Sequence, residues 1–231
     1  MKIKHIAPHI YKIEAWVGLK ISTWLVKTEF GSILIDSGMG FMTGATIKLA
    51  KAYGPLQMIL LTHGHIDHTG GLASLLKKER VPVYAHELEI PYMEGDLAYP
   101  GRRKPQRLVD KGVVKPLPKD REGQLHSMMG LIPYYTPGHS PGHTVYYHPE
   151  DQLLLCGDLF TSKNGRLKPP IKAFTADMAE AVESGKIVEE LSPAAASVCH
   201  GGEVPDPGRQ YKKYKATFGS LRAAVNGSKE R

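Results

Sequence analysis

The chain has 231 residues, 42% of them hydrophobic, which suits a globular protein with a substantial core. Its two cysteines, Cys156 and Cys199, are too few for a disulfide framework, and its apolar runs are shorter than the roughly 20 residues of a membrane span. The formal net charge of +7 is scattered in short basic groups, so we expect neither a nucleic-acid nor a membrane partner. Residues 1–5 lack a signal-peptide core, which favours a cytoplasmic protein.

Strand-like and helix-like segments alternate through the first half of the chain. Residues 9–17 and 21–27 are rich in Ile, Val, Trp and Thr and predict a hairpin or two neighbouring strands. Short buried strands are predicted at 33–35 and 58–61, with a helix over 43–53 between them. Further predicted elements are a helix from Gly70 to about Arg80, a strand at 81–83 and a short helix over 86–94.

Residues 95–123 separate the two halves and are the hardest to interpret. They contain four prolines and few apolar runs, so they predict either a loop over a pocket or a flexible surface segment. The second half then resumes the α/β pattern, with predicted strands at 131–136, 143–148, 153–156 and 196–199, a helix over 177–190 and a basic, partly helical tail after Pro207. Since no linker or repeat interrupts it, we expect one α/β domain over residues 1–231.

The strongest chemical signal is the stretch from His63 to His68, which reads His-Gly-His-Ile-Asp-His. Histidine and aspartate are common ligands for Zn, Fe and Mn. Alternate residues of an extended loop point the same way, so His63 and His65 can reach one metal ion. Asp67 and His68 follow where the chain turns into a helix, and they are better placed for a second ion. Gly64 leaves room for a close backbone approach.

Three later residues, His139, Asp158 and His200, stand in matching positions. Each follows a predicted strand and each adjoins a glycine. Polar residues on loops at strand ends, held by a rigid sheet, are where protein sites are usually built. We therefore predict that they join the His63–His68 stretch in one metal site.

Several ordered motifs resemble those of the metallo-β-lactamase superfamily over about residues 30–202. They are Leu34-Ile35-Asp36-Ser37-Gly38, the stretch from Thr62 to His68, Thr136-Pro137-Gly138-His139-Ser140-Pro141-Gly142-His143, Gly157-Asp158 and His200-Gly201-Gly202. The resemblance implies a four-layer αββα sandwich with two metal ions at one edge.

Ligand roles follow from the resemblance, position by position. His63, His65 and His139 would bind the first metal ion, and Asp67, His68 and His200 the second, with Asp158 bridging the two.

Residues beside these ligands are expected to support the site. Asp36 would order the loop around it. His143 either does the same or is an ordinary strand residue. Cys156 and Cys199 each precede or adjoin a better ligand, so we expect small apolar fillers there.

The resemblance also implies the chemistry. Two divalent ions, with Zn²⁺ favoured and Fe or Mn as alternatives, can lie about 3.5–4 Å apart and share a hydroxide that attacks the substrate. Asp67 can hold and orient that hydroxide, so Asp67 and Asp158 are the expected catalytic residues. The predicted function is a dinuclear metallo-hydrolase acting on a small molecule; a monomer and a homodimer both stay open.

His68 directs the substrate prediction. It is unusual in typical zinc β-lactamases, whereas the Asp67-His68 pair resembles glyoxalase II and acyl-homoserine lactonases, which implies an ester, thioester or lactone. About thirty residues follow His200, where glyoxalase II relatives carry a helical domain, and Thr161 stands where such lactonases place a tyrosine. Small bacterial hydrolases of the superfamily are the nearest resemblance.

Three other functions remain open at this stage: a mononuclear iron persulfide dioxygenase-like enzyme, a diiron electron-transfer protein and a phosphodiesterase. The basic segment 102–107 is either a solvated loop or a selector of anionic substrates.

Overall fold

The first of two β-sheets has seven strands that follow one another in chain order. The computed structural model describes residues 1–227, with side chains as far as residue 218. The strands are β1 (Lys2–Ala7), β2 (Ile10–Trp16), β3 (Lys20–Thr28), β4 (Gly31–Ile35), β5 (Leu56–Leu60), β6 (Val83–Ala85) and β7 (Val114–Pro116). Pairing is antiparallel from β1 to β4 and parallel from β4 to β7.

The second sheet has five strands, which are β8 (Ile132–Tyr135), β9 (Thr144–His148), β10 (Leu153–Leu155), β13 (Ala195–Ser197) and β14 (Glu203–Pro205). Their order across the sheet is β14-β13-β10-β9-β8. The β10–β13 pair is parallel and the other pairs are antiparallel, so β8, β10 and β13 run in the same direction. A separate hairpin is formed by β11 (Thr161–Lys163) and β12 (Arg166–Lys168).

Seven α-helices connect and cover the strands within the described residues. They are α1 (Thr43–Ala52), α2 (Ile66–Thr69), α3 (Leu72–Leu76), α4 (Ile90–Met93), α5 (Met178–Ser184), α6 (Ile187–Leu191) and α7 (Pro207–Gly227), with 3₁₀ turns at Gly40–Met42 and Lys172–Phe174. None of the helices within residues 1–227 is both long and apolar enough to cross a lipid bilayer.

Three apolar clusters define four layers. Because side chains alternate across a strand, Trp24 of β3 points to the second sheet and packs in one cluster with Leu155 of β10. Leu25, its neighbour, points the other way and packs with Leu75 of α3. On the second sheet, Leu154 points outward into a third cluster formed with α5, α6 and α7. The predicted αββα sandwich is thereby confirmed.

Element boundaries differ from the sequence-based prediction in places. The helix expected over 177–190 is divided into α5 and α6 around Gly185, where a Cβ atom would lie 2.9 Å from Phe160. Residues 95–123 contribute β7 to the edge of the first sheet. The strands β1, β7 and β14 and the β11–β12 hairpin were not predicted, because β1 has no buried residue and the others have three residues each, too few to show a period.

Candidate metal centre

Loops at the carboxyl ends of five strands meet at one edge of the sandwich. Asp36 follows β4, the loop from His63 to His68 follows β5, and His139, Asp158 and His200 follow β8, β10 and β13. Strands β4 and β5 are parallel, as are β8, β10 and β13, so the carboxyl ends within each sheet lie at the same edge. The structure therefore brings together all seven predicted ligands from distant parts of the chain.

The first group consists of His63, His65 and His139. Their nearest nitrogen atoms are 3.0 Å apart for His63 Nε2 and His65 Nδ1, and 3.2 Å for each of the other two pairs. Zn–N bonds of about 2.0–2.1 Å place tetrahedral ligand nitrogens about 3.3 Å apart. Three nitrogens at this spacing can share one ion.

The second group consists of Asp67, His68 and His200, and Asp158 contacts both groups. Asp67 Oδ2 is 3.6 Å from His68 Nε2 and 3.3 Å from His200 Nε2. Asp158 Oδ2 lies 3.0 Å from His200 Nε2 and 3.4 Å from His139 Nε2, while its Oδ1 lies 3.4 Å from His68 Nε2. A carboxylate in this position can link two ions.

Two polar atoms at this centre test whether metal ions fit. Among the described side chains, His68 Nε2 and Asp158 Oδ1 are buried without a hydrogen-bond partner. Leaving such atoms unpaired in the interior costs free energy, and a cation would satisfy both. Burial also lowers the pKa of His63 and His139 well below the usual range and that of His65 to about 4, which leaves neutral rings able to donate a lone pair. These residues fit a site for divalent metal ions.

Asp36 orients the second group from behind. It is fully buried, and its Oδ2 accepts hydrogen bonds from His68 Nδ1 at 2.7 Å and Thr62 Oγ1 at 2.8 Å. Its Oδ1 accepts from the Thr62 backbone at 2.7 Å. These contacts orient the His68 ring with Nε2 directed at the centre, and the supporting role of Asp36 stays a prediction.

His143 supports Asp158. Its Nε2 accepts a hydrogen bond from the Asp158 backbone at 3.2 Å, and its Nδ1 lies 3.0 Å from Thr136 Oγ1. Burial lowers the pKa of His143 to about 3, so the ring is a neutral acceptor. Of the two roles left open by the sequence, its contacts favour positioning the site.

His200 and His139 each have a hydrogen-bond partner on Nδ1, the ring nitrogen that faces away from the centre. His200 Nδ1 donates to the Lys20 carbonyl at 2.6 Å, and His139 Nδ1 lies 3.2 Å from Thr175 Oγ1. These contacts leave Nε2 of each ring directed inward.

Cys199 lies near the second group, but its thiol is hydrogen-bonded to the backbone of Ser22. Its Sγ is within 4.8 Å of ligand atoms of Asp67, His68 and His200. The same sulfur receives the Ser22 N–H at 3.4 Å and donates to the Ser22 carbonyl at 3.5 Å. Neither cysteine forms a disulfide and both are buried, as expected for small apolar side chains that pack in the core.

Sequence reasoning missed Glu89, which joins three loops around the centre. This fully buried carboxylate accepts hydrogen bonds from Gly64 N at 2.9 Å, Tyr99 OH at 2.6 Å, Ser140 Oγ at 2.8 Å and Gly142 N at 2.7 Å. Burial raises its pKa, and the four donors oppose that shift. No local pattern marks Glu89, because its partners lie 10 to 53 residues away in sequence.

Close packing explains the glycine within the His63–His68 stretch. A Cβ atom at Gly64 would lie 2.3 Å from Tyr99 OH and 2.7 Å from Met93 Cβ, well inside van der Waals contact. The backbone therefore approaches the Glu89–Tyr99 pair more closely than any other residue type would allow.

A cavity of about 460 Å³ opens beside the centre. The ligand candidates His65, Asp67, Asp158 and His200 contribute to its lining. The rest of the lining is mainly apolar, with two cations from the basic segment; these residues include Leu19, Ile66, Leu108, Phe174, Arg102 and Lys104. Residues 95–123 therefore provide, in part, a loop over a pocket.

Comparisons of the whole chain with known proteins agree with this geometry. A model of the metallo-beta-lactamase superfamily matches residues 16–200. The probable metallo-hydrolase YybB of Bacillus subtilis (strain 168) is 34% identical over 222 residues, covering 94% of this chain and 99% of YybB. A hydroxyacylglutathione hydrolase of Ectopseudomonas mendocina (strain ymp) is 37% identical over 114 residues, covering 48% of this chain and 36% of that protein.

Solved structures share the architecture. TTHA1623 in a di-iron-bound form matches with a TM-score of 0.60 at 28% identity, covering 84% of this chain and 93% of that one. The metallo-beta-lactamase family protein TTHA1429 from Thermus thermophilus matches with a TM-score of 0.71 at 22% identity, covering 96% and 83%, which supports the fold alone. Because the family model spans most of the chain and YybB matches almost end to end, the chain belongs to the metallo-β-lactamase superfamily.

Proposed function

We propose that the chain is a dinuclear metal-dependent hydrolase that cleaves an ester, thioester or lactone bond in a small molecule. The observation that carries the proposal is the pair of ligand groups that meet at Asp158, with His68 Nε2 and Asp158 Oδ1 buried and unpaired, beside an open cavity. Two divalent ions bound there would supply an activated water at neutral pH and polarise the substrate carbonyl.

Under this proposal each acidic residue has its own task. Asp158, which contacts both groups, would fix the positions of the two sets of ligands relative to each other. Asp67 has 21% of its side chain exposed and lines the cavity, so it can accept a proton or hydrogen bond from the attacking water. His63, His65 and His139 hold one ion, and His68 and His200 share the other with Asp67.

The bond class is supported by the Asp67-His68 pair and by the relatives. The chain resembles the hydroxyacylglutathione hydrolase over 48% of this chain's length, and the substrate in that protein's name contains a thioester bond. Thr161 stands where lactonases of this fold carry a tyrosine, and its hydroxyl donates to the Pro169 carbonyl at 2.8 Å within the β11–β12 hairpin. An acyclic ester or thioester is therefore favoured over a lactone.

Iron is the specific alternative to zinc, because TTHA1623 was solved with two iron ions. Elemental analysis of purified protein separates the possibilities. Two zinc ions per chain support hydrolysis, one iron ion supports dioxygenase chemistry, and two iron ions with a redox-active spectrum support electron transfer.

A hydrolase screen with defined metals tests the proposal directly. Protein stripped with a chelator is reloaded with Zn²⁺, Fe²⁺ or Mn²⁺ and offered acyl esters, thioesters, lactones, phosphodiesters and β-lactams. We expect metal-dependent turnover of esters or thioesters. Turnover restricted to phosphodiesters or β-lactams would contradict the proposed bond class, and turnover that is unaffected by metal removal would contradict the mechanism.

A further inference from the structure

The cavity beside the metal centre combines an apolar wall with an unpaired cation. We infer that its substrate has an apolar acyl body ending in a carboxylate, and that Arg102 binds this carboxylate. The inference rests on the proposed function, since it takes the reacting carbonyl to lie at the metal end.

The apolar wall comes from separate segments of the chain. Leu19 follows β2, Ile66 begins α2, Leu108 lies before β7, and Phe174 ends a 3₁₀ turn. Ile66 and Phe174 are 50% and 47% exposed. Large apolar side chains that converge on one cavity while exposed to solvent indicate a surface that a ligand covers.

The cavity lining contains charged residues of both signs. Both carboxylates in the lining, Asp67 and Asp158, belong to the proposed metal ligands. Arg102 and Lys104 are therefore left without an acidic partner in the lining. Elsewhere in the same region of the chain, Lys111 and Lys119 do form ion pairs, with Asp96 and Glu87. Among the described side chains, neither Arg102 nor Lys104 forms an ion pair, so both can bind an incoming anion.

Arg102 is held in place although its loop is exposed. Its backbone N–H donates to the Tyr99 carbonyl at 2.9 Å, and the Tyr99 hydroxyl donates at 2.6 Å to buried Glu89. Its guanidinium carbon lies 5.8 Å from the centre of the Phe174 ring, within reach of a cation–π contact. A side chain positioned in this way loses less conformational entropy on binding a ligand.

Arg102 also lies close to the reacting end. The Tyr99 ring, three residues before it, is 5.0 Å from the ring of His65. A second cavity of about 210 Å³ is lined by His65, Tyr99, Arg102 and Phe174 as well, so Arg102 borders both spaces next to the centre. The planar guanidinium matches a carboxylate with two parallel hydrogen bonds, which favours a carboxylate over a bulkier anion.

Matched substrates test the inference. One is a monothioester of an eight-carbon dicarboxylic acid, and the other is the same compound with its free carboxylate replaced by a primary amide. For the metal-loaded wild-type protein we expect kcat/KM to favour the carboxylate by at least about tenfold, as for a hydrogen bond between charged groups. We expect Arg102→Gln to bring this ratio close to one, with Arg102→Lys between the two.

Arg103→Gln is the control. Arg103 adjoins Arg102 and is exposed, but it does not line the cavity. We expect this variant to keep both the turnover and the tenfold preference. An equal loss of preference in Arg103→Gln and Arg102→Gln would overturn the inference in favour of diffuse charge attraction.

A binding measurement separates this inference from the proposed hydrolysis. Ketone analogues of both compounds, with a methylene in place of the thioester sulfur, are titrated calorimetrically into metal-loaded protein. Tighter binding of the carboxylate analogue by wild type but not by Arg102→Gln supports the inference even if neither thioester is cleaved, a result that would contradict the proposed function alone. Equal affinity of wild type for the two analogues would overturn the inference, whatever the turnover.

Discussion

His68 donates a hydrogen bond from Nδ1 to the Asp36 carboxylate across 2.7 Å, and both side chains are fully buried. This pair predicts the effect of Asp36→Asn. Asn tolerates the positive φ of 58° at this position, and its carbonyl can still accept from Thr62 N. Its amide group cannot accept from His68, so the ring loses its orienting partner. We expect the second metal ion to bind about 10–100-fold more weakly, measured by competition with a chelator.

Asp151→Asn is a matched control for that substitution. Asp151 is also a buried carboxylate that pairs with a histidine, His9, at 2.8 Å, and with His9 and His148 it forms a cluster of possible ligands separate from the proposed centre. We expect Asp151→Asn to leave the metal affinity of the proposed centre equal to that of wild type, whatever its effect on the separate cluster. Unchanged affinity in Asp36→Asn would show that His68 does not need Asp36 to bind metal.

Removal of Asp158 is expected to abolish turnover with little effect on the fold. Asp158→Ala deletes the carboxylate that contacts His68, His139 and His200. We expect kcat/KM to fall by more than the roughly 100-fold typical of residues that only orient a ligand, with an unchanged circular dichroism spectrum. Asp67→Ala should behave similarly. An active, metal-loaded Asp158→Ala protein would contradict the assignment.

Metal removal is expected to lower the thermal stability of the protein. Without bound cations, His68 Nε2 and Asp158 Oδ1 are buried and unpaired, so the folded state loses the stabilisation that the cations provide. An ion present at about 1,000 times its Kd stabilises the fold by about 4 kcal/mol, which predicts a fall in Tm after chelation and recovery when Zn²⁺ is restored. The shift should be smaller in Asp36→Asn. An identical Tm with and without metal would show that metal binding does not stabilise the fold.

Glu89→Gln is expected to loosen the loops around the centre. An amide group in place of one carboxylate oxygen leaves two of the four donors, either Gly64 N and Tyr99 OH or Ser140 Oγ and Gly142 N, without an acceptor. At about 1–3 kcal/mol for each buried group left unpaired, we expect the free energy of unfolding to fall by about 2–6 kcal/mol in urea titration. We also expect kcat/KM to fall about tenfold, because Gly64 lies between two proposed ligands.

Glu87→Gln is the control for Glu89. Glu87 is exposed and pairs with Lys119 at the surface, where an ion pair contributes little to stability. We expect its urea midpoint to stay near that of wild type. Equal destabilisation by both substitutions would contradict the role given to Glu89.

Much of the fold was predictable because its strands are strongly patterned. The buried runs 33–35 and 58–61 correspond to β4 and β5, and the predicted hairpin corresponds to β2 and β3. Edge strands and helix ends were placed less well. Between α5 and α6, a Cβ atom at Gly185 would lie 2.9 Å from Phe160, so this position is constrained by a contact between distant segments.

The sequence by itself identified the candidate metal ligands of this protein. Seven ligand candidates were recognisable because each lies in a short motif at a strand end, where local spacing and glycine neighbours are visible. The tertiary structure decided which residues support them. Glu89 accepts hydrogen bonds from Gly64, Ser140 and Gly142, which lie 25 to 53 residues away, and no local pattern records such contacts. Only the packing of the two sheets brings the basic segment, Phe174 and the His63–His68 stretch to one cavity. Their loops come from opposite halves of the chain, and local sequence does not show that they meet.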